Sequence, residues 1–176
     1  MADGRCNRPP LFPFGGSPPL ADGLRLFAAV SAGMGVVTYL AMELGAPLLV
    51  GSFGASACLL YFVPAGPFSQ PRNVIGGHTL AALTGVAVGA ALGCTWYGAA
   101  LGVGGAVVVM VYTGTMHPPA AATALVAVLT GQGAVFVLAP VALGAATLML
   151  AAIIINRLLP RIAQRCGLAR KKEVSR

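Results

Sequence analysis

Acidic side chains are nearly missing from this chain. Asp3, Asp22, Glu43 and Glu173 are its four carboxylates in 176 residues. That scarcity disfavours a cation pore lined by carboxylates. It also disfavours a metal site, because His78 and His117 have Glu43 alone as a carboxylate within the long apolar part of the chain. Paired cysteines are missing too. Cys6, Cys58, Cys94 and Cys166 lie far apart and match no zinc or haem spacing, and Cys58 and Cys94 fall in apolar stretches, where they read as small core residues. No G-x-S-x-G, zincin or P-loop pattern occurs, so no catalytic residue, metal or cofactor is expected, and no enzyme. A signal peptide is likewise not expected. Met1 to Pro19 is rich in Pro and Gly and has no continuous apolar region, so it reads as a flexible cytoplasmic lead, short for an organelle transit peptide and more in keeping with a prokaryotic protein.

What the chain has in abundance is apolar surface. Hydrophobic residues make up 57% and charged residues 9%, where a soluble domain carries about 25% charged. Mean hydropathy is +0.86. A soluble protein of this size cannot hide so much apolar surface, so the solvent for most of the chain is expected to be lipid. The net charge of +7 is concentrated at the ends: Arg5, Arg8 and Arg25 near the start, then Arg157, Arg161, Arg165, Arg170, Lys171, Lys172 and Arg176. Nucleic acid could attract such a tail. Beside membrane helices the plainer reading is the positive-inside bias plus contact with anionic lipid. That reading puts both termini in the cytoplasm, with an even number of crossings of the cell's inner (plasma) membrane.

Six apolar segments follow one another: 24–42, 47–63, 73–97, 98–114, 118–130 and 134–159, the last containing Pro140. A crossing needs about 20 helical residues, and 118–130 is too short. The expected fold is therefore all-α and polytopic, with two segments, around 47–63 and 117–130, broken or re-entrant. Residues 1–20 would be the lead, 21–160 a single transmembrane domain and 161–176 a basic cytoplasmic tail. The two short segments resemble each other. Gly54-Ala55-Ser56-Ala57-Cys58-Leu59-Leu60 lies 67 residues before Ala121-Ala122-Thr123-Ala124-Leu125-Val126-Ala127. This offset suggests two copies of a three-helix unit, inverted if each unit crosses three times and parallel if the middle segments are re-entrant. The stripe Gly85, Gly89, Gly93 reads as helix packing rather than pore lining.

Polar groups cluster at four places where lipid makes them costly. In Thr115-Met116-His117-Pro118-Pro119, the prolines suit a first helical turn, and the free N–H groups and positive dipole end there would attract an anion. His117 is either part of that site or a structural cap. In Gly51-Ser52-Phe53-Gly54-Ala55-Ser56, a helix is expected to restart after a break with Ser52 as its cap, facing the first start across a pseudo-axis. In Gln70-Pro71-Arg72-Asn73, Arg72 is either an interfacial loop residue or the group that draws an anion to the site. In Gly76-Gly77-His78-Thr79, His78 either bonds a neighbouring carbonyl or lines a path and relays a proton.

Three of these motifs occur in the same order in a known family. Gly51-Ser52-Phe53-Gly54-Ala55-Ser56, then Gln70-Pro71-Arg72-Asn73-Val74-Ile75-Gly76-Gly77-His78, then His117-Pro118-Pro119 resemble the HPP family of integral membrane proteins over about residues 24–159. The resemblance implies a small transporter-like protein with four or more spans, and some plastid and cyanobacterial members are implicated in nitrite transport. One departure is Ala120-Ala121-Ala122, where the family often has Gly after the two prolines. The expectation is a transporter or channel for a small inorganic anion, nitrite foremost, with Ser52, Phe53, Gly54, Ser56, Arg72, Asn73, His78, Thr115, His117, Pro118, Pro119 and Thr123 as binding residues. The chain is expected to form a homo-oligomer. The alternative is a non-transporting membrane subunit or sensor whose His-Pro-Pro break is structural.

Overall fold

The computed structural model describes residues 20–43 and 50–158. The expected lead (apart from Leu20) and the basic tail lie outside the described residues. Among the described residues all regular structure is helical, as expected for a chain whose backbone N–H and C=O groups must find partners without water.

Helix α1 spans Leu20–Glu43 and α2 spans Val50–Phe62. A short 3₁₀ turn, Pro67–Ser69, leads to α3, Pro71–Leu92, which opens on a proline at its first position. Helix α4 spans Trp96–Thr113, and Thr95 caps it by accepting a bond from the Gly98 N–H. Gly114 ends α4 in the left-handed conformation at φ 65°, which a glycine adopts without penalty. A 3₁₀ turn at Pro118–Ala120 then runs into α5, Ala121–Leu129. The last segment passes through Val137–Ala142 into α6, Leu143–Ile153, and on to Leu158. Its backbone leaves the helical region at Ala139 (φ −133°, ψ 118°), directly before Pro140, as the crowding of a proline on its predecessor requires.

Among the described residues three helices are long and apolar enough to cross a membrane: Pro71–Leu92, Trp96–Thr113 and Val137–Asn156. Helix α1 contributes the shorter apolar stretch Phe27–Tyr39, while Gly51–Phe62 and Pro118–Leu129 are short as well. With 13 and 9 residues, α2 and α5 rise about 20 and 14 Å at 1.5 Å per residue, about two thirds and one half of a bilayer core.

Two expectations need correction. Gly51 and Gly54 do not interrupt α2, which is continuous from Val50, so Ser52 is its third residue and not its cap. An interior glycine costs about 0.5–1 kcal/mol, whereas backbone groups left unpaired in lipid cost several kcal/mol each, so the helix forms through both. Cys58 and Cys94 are exposed rather than in the core.

Helix α3 sits at the centre. Both α4 and α5 pack on it, and α6 reaches it from another side. A Cβ on Gly85 would lie 2.6 Å from the Ala124 carbonyl oxygen, and one on Gly89 would lie 3.4 Å from Val128 Cα. Gly85 and Gly89 are therefore the groove in which α5 lies, as the packing reading expected, whereas Gly93 ends α3 at φ 69° and a Cβ there would meet nothing within 4 Å. On the other side, α1 packs on α2 and α6. Three contacts pair off when α1–α3 are matched in order to α4–α6: α1·α2 with α4·α5, α1·α6 with α4·α3, and α2·α6 with α5·α3.

Candidate functional site

The short helices run in opposite directions. Along α3, Gly77 lies against His117, Gly85 against Ala124 and Gly89 against Val128, so α5 runs parallel to α3. Helix α2 runs the other way: Ser56 contacts His78, while the Leu59 carbonyl, nearer the end of α2, accepts from Ser69 Oγ just before α3 begins. Their first turns meet, with Thr123 Oγ1 donating to Ser52 Oγ over 3.2 Å.

Around this junction the sequence-expected residues gather into one cluster. Ser56 Oγ lies 2.9 Å from His78 Nε2 and 2.8 Å from His117 Nε2. It also reaches the Ser52 carbonyl at 3.0 Å. His78 Nδ1 is 2.8 Å from Thr123 Oγ1, and His117 Nδ1 donates to the Phe68 carbonyl at 2.8 Å. The two imidazole centroids are 5.1 Å apart. Ser52 is 3% exposed, and Ser56, His78, His117 and Thr123 are all 0%. Both ring nitrogens of His78 are thus occupied by Ser56 and Thr123, the very pair that the 67-residue offset aligns.

Glycine makes the approach of His117 feasible. A Cβ on Gly77 would stand 2.8 Å from His117 Cβ and 2.9 Å from the Thr115 carbonyl oxygen, closer than packed atoms approach. Phe53 is buried at 1% and meets the His78 ring edge-on with centroids 5.0 Å apart. Its ring fills the space above Gly144, where a Cβ would come within 2.5 Å of it.

The remaining expected residues form a second group near the start of α3. Arg72 Nη2 donates to the Thr113 carbonyl at 2.6 Å, so its guanidinium serves the C-terminal end of α4. Asn73 Nδ2 donates to the Met116 carbonyl at 2.8 Å, and Thr115 Oγ1 bonds Thr113 Oγ1 at 2.8 Å. These contacts hold the loop that carries His117. Pro118 is exposed, and a Cβ on Gly54 would meet nothing within 4 Å. Neither belongs to the hydrogen-bonded cluster. A hollow lined by Leu60, Pro71, Met149 and Asn156, among others, contains none of the cluster side chains.

The start of α5 differs from expectation in one respect. Pro118 and Pro119 have no N–H, the Ala120 N–H donates to the His117 carbonyl at 2.9 Å, and the Ala121 N–H turns back to Pro118 and Pro119. The anticipated unpaired donors are consumed by the turn, so the positive dipole end remains but the polar hydrogens at this junction belong to side chains. Two participants were not anticipated. The Phe68 carbonyl is a main-chain acceptor that no residue type announces. Gly77 was visible in the Gly76-Gly77-His78 motif, but its role depends on a loop 40 residues away.

The family model for the HPP transmembrane region matches residues 16–164. The chain belongs to the HPP family. Two relatives, both named as transmembrane proteins of Dictyostelium discoideum, are 36% identical over 124 residues and 40% identical over 116 residues. These matches cover 66% and 61% of this chain but 44% and 37% of the relatives. The chain therefore spans less than half the length of the relatives it matches. No solved structure matches it. This HPP protein is a membrane protein.

Proposed function

We propose that this HPP protein is a membrane transporter for a small inorganic anion, with nitrite the best candidate. The observation that carries this reading is the meeting of α2 and α5 at Ser52 and Thr123. Two helices too short to cross the membrane, running in opposite directions, bring their positive dipole ends and a set of buried hydroxyl and imidazole groups to one place. Paired helix starts of this kind, deep in a bundle, suit anion recognition. The paired-off helix contacts and the Ser56–Thr123 correspondence support an inverted three-helix repeat. Nothing in the cluster is acidic, which favours an anion over a cation. A site at the inner membrane, with both termini cytoplasmic and the basic tail against anionic lipid, follows from the charge distribution, and we extend the proposal to a homo-oligomer.

The test is uptake by purified protein in liposomes. Nitrite uptake above that of protein-free vesicles, between about pH 5 and 8, is expected. Uptake equal to empty vesicles for nitrite and for other small anions overturns the proposal. A second reading, a non-transporting subunit in which the His-Pro-Pro segment is a structural clasp, is favoured by one observation: the cluster side chains bond one another and the Phe68 carbonyl. His117→Ala separates the two. A transporter loses uptake beyond its loss of folded protein, whereas a clasp loses both equally.

A further inference from the structure

Hydrogen counting at Ser56 carries an inference that rests on the transport reading. The Phe68 carbonyl can only accept, so His117 Nδ1 bears a hydrogen. Thr123 gives its hydroxyl hydrogen to Ser52, so its contact with His78 places a hydrogen on His78 Nδ1. In neutral imidazoles both Nε2 atoms are then acceptors. They face Ser56 Oγ at 2.9 and 2.8 Å, and the Ser52 carbonyl lies 3.0 Å from the same oxygen. Three acceptors thus surround the single hydrogen of one hydroxyl. A proton added to either Nε2 makes that nitrogen a donor to Ser56, whose own hydrogen then serves the other imidazole, and both Nε2 contacts are satisfied.

Among the described side chains, the charge of that added proton has no fixed partner. The charged side chains described are Glu43, exposed at the end of α1, and Arg72, engaged with α4. Helix α2 presents Ser52, Phe53 and Ser56 to the bridge, α5 presents Thr123, and α4 and α6 bring apolar residues into the surrounding core. Among the described side chains, only His78 and His117 titrate there. A buried charge without a partner is costly, while a proton and an anion arriving together compensate each other.

We propose that the His78–Ser56–His117 bridge takes up one proton together with each anion, making this HPP protein an electroneutral proton–anion symporter. One N–H bond forms at an Nε2 as an O–H bond of hydronium breaks on the side of entry, and the reverse exchange returns the proton to water on the side of exit.

The experiment uses proteoliposomes carrying a lumenal pH dye, with valinomycin and potassium setting the membrane potential and protein-free vesicles subtracting passive nitrous acid entry. An inward nitrite gradient is expected to acidify the lumen by about one proton per nitrite, at a rate unchanged by the imposed potential. His78→Gln combined with His117→Gln keeps hydrogen-bonding groups at both positions and leaves neither able to titrate. This double variant is expected to bring the proton-to-nitrite ratio toward zero, or to abolish uptake in protein that still folds. Protein-dependent nitrite uptake without acidification, or uptake that responds severalfold to potential, overturns the symport proposal and leaves the transport reading standing. No protein-dependent uptake of any anion overturns both. If the double variant fails to fold, the wild-type stoichiometry and voltage response decide.

Discussion

Thr123 Oγ1 donates to Ser52 Oγ across 3.2 Å, joining the third residue of α5 to the third residue of α2. The two residues are 71 positions apart in sequence. This bond and the two imidazoles beside it hold together the starts of helices that share little other contact surface.

Removing that donor is expected to be costly. Thr123→Val keeps the shape but leaves His78 Nδ1 and Ser52 Oγ without this partner inside a fully buried cluster. Loss of a buried hydrogen-bond partner costs about 1–3 kcal/mol. Thermal unfolding of the purified protein in detergent checks it, with Thr123→Ser, which retains the hydroxyl, expected to stay close to wild type.

Two glycines should respond in opposite ways to the same change. Gly77→Ala drives a methyl to 2.8 Å from His117 Cβ and 2.9 Å from a backbone oxygen, neither of which moves easily. Overpacking of this kind costs about 1–3 kcal/mol, and the displaced His117 should lower uptake as well. Gly54→Ala meets nothing within 4 Å and gains about 0.5–1 kcal/mol of helix propensity in the interior of α2. Opposite shifts in melting temperature are the expected pair of results.

Arg72 separates two roles through its effects on stability and on uptake. Arg72→Gln removes the cation from the end of α4, where such a charge contributes about 0.3–1 kcal/mol. A small loss of stability is therefore expected. If the residue also draws anions to the membrane, half-saturation for nitrite rises in the same variant and the difference shrinks at high ionic strength. Uptake kinetics at low and high salt make the comparison.

Trp96 is the chain's one tryptophan and is 81% exposed at the first position of α4, edge-on to Tyr97. Tyr112 near the other end of the helix is 87% exposed. Exposed aromatics at both ends fit the interfacial belts of a membrane helix. Trp96 fluorescence in bilayers should be quenched most by lipids brominated near the headgroup and least by those brominated near the chain end.

Much of this arrangement was legible from composition and a few punctuating residues. His117-Pro118-Pro119 marks a short helix that cannot cross alone, whereas the division between the third and fourth segments falls at residues 93–95 and not after residue 97. The Ser56–Thr123 correspondence was also visible and proved to converge on His78. The course of α2 was misjudged because glycine reads as a breaker in a sequence, while lipid penalises an unpaired backbone far more than it penalises glycine. The donors at the start of α5 were miscounted for a local reason: two prolines remove N–H groups, and the 3₁₀ turn uses the next two. The Phe68 carbonyl was illegible in principle, since every residue carries one and only the fold selects which is used.

The opposed course of α2 and α5 has an electrical consequence. Each helix is a dipole, and two that run in opposite directions from a shared junction largely cancel. The pair therefore contributes little net polarity of its own, while its junction gathers two positive ends.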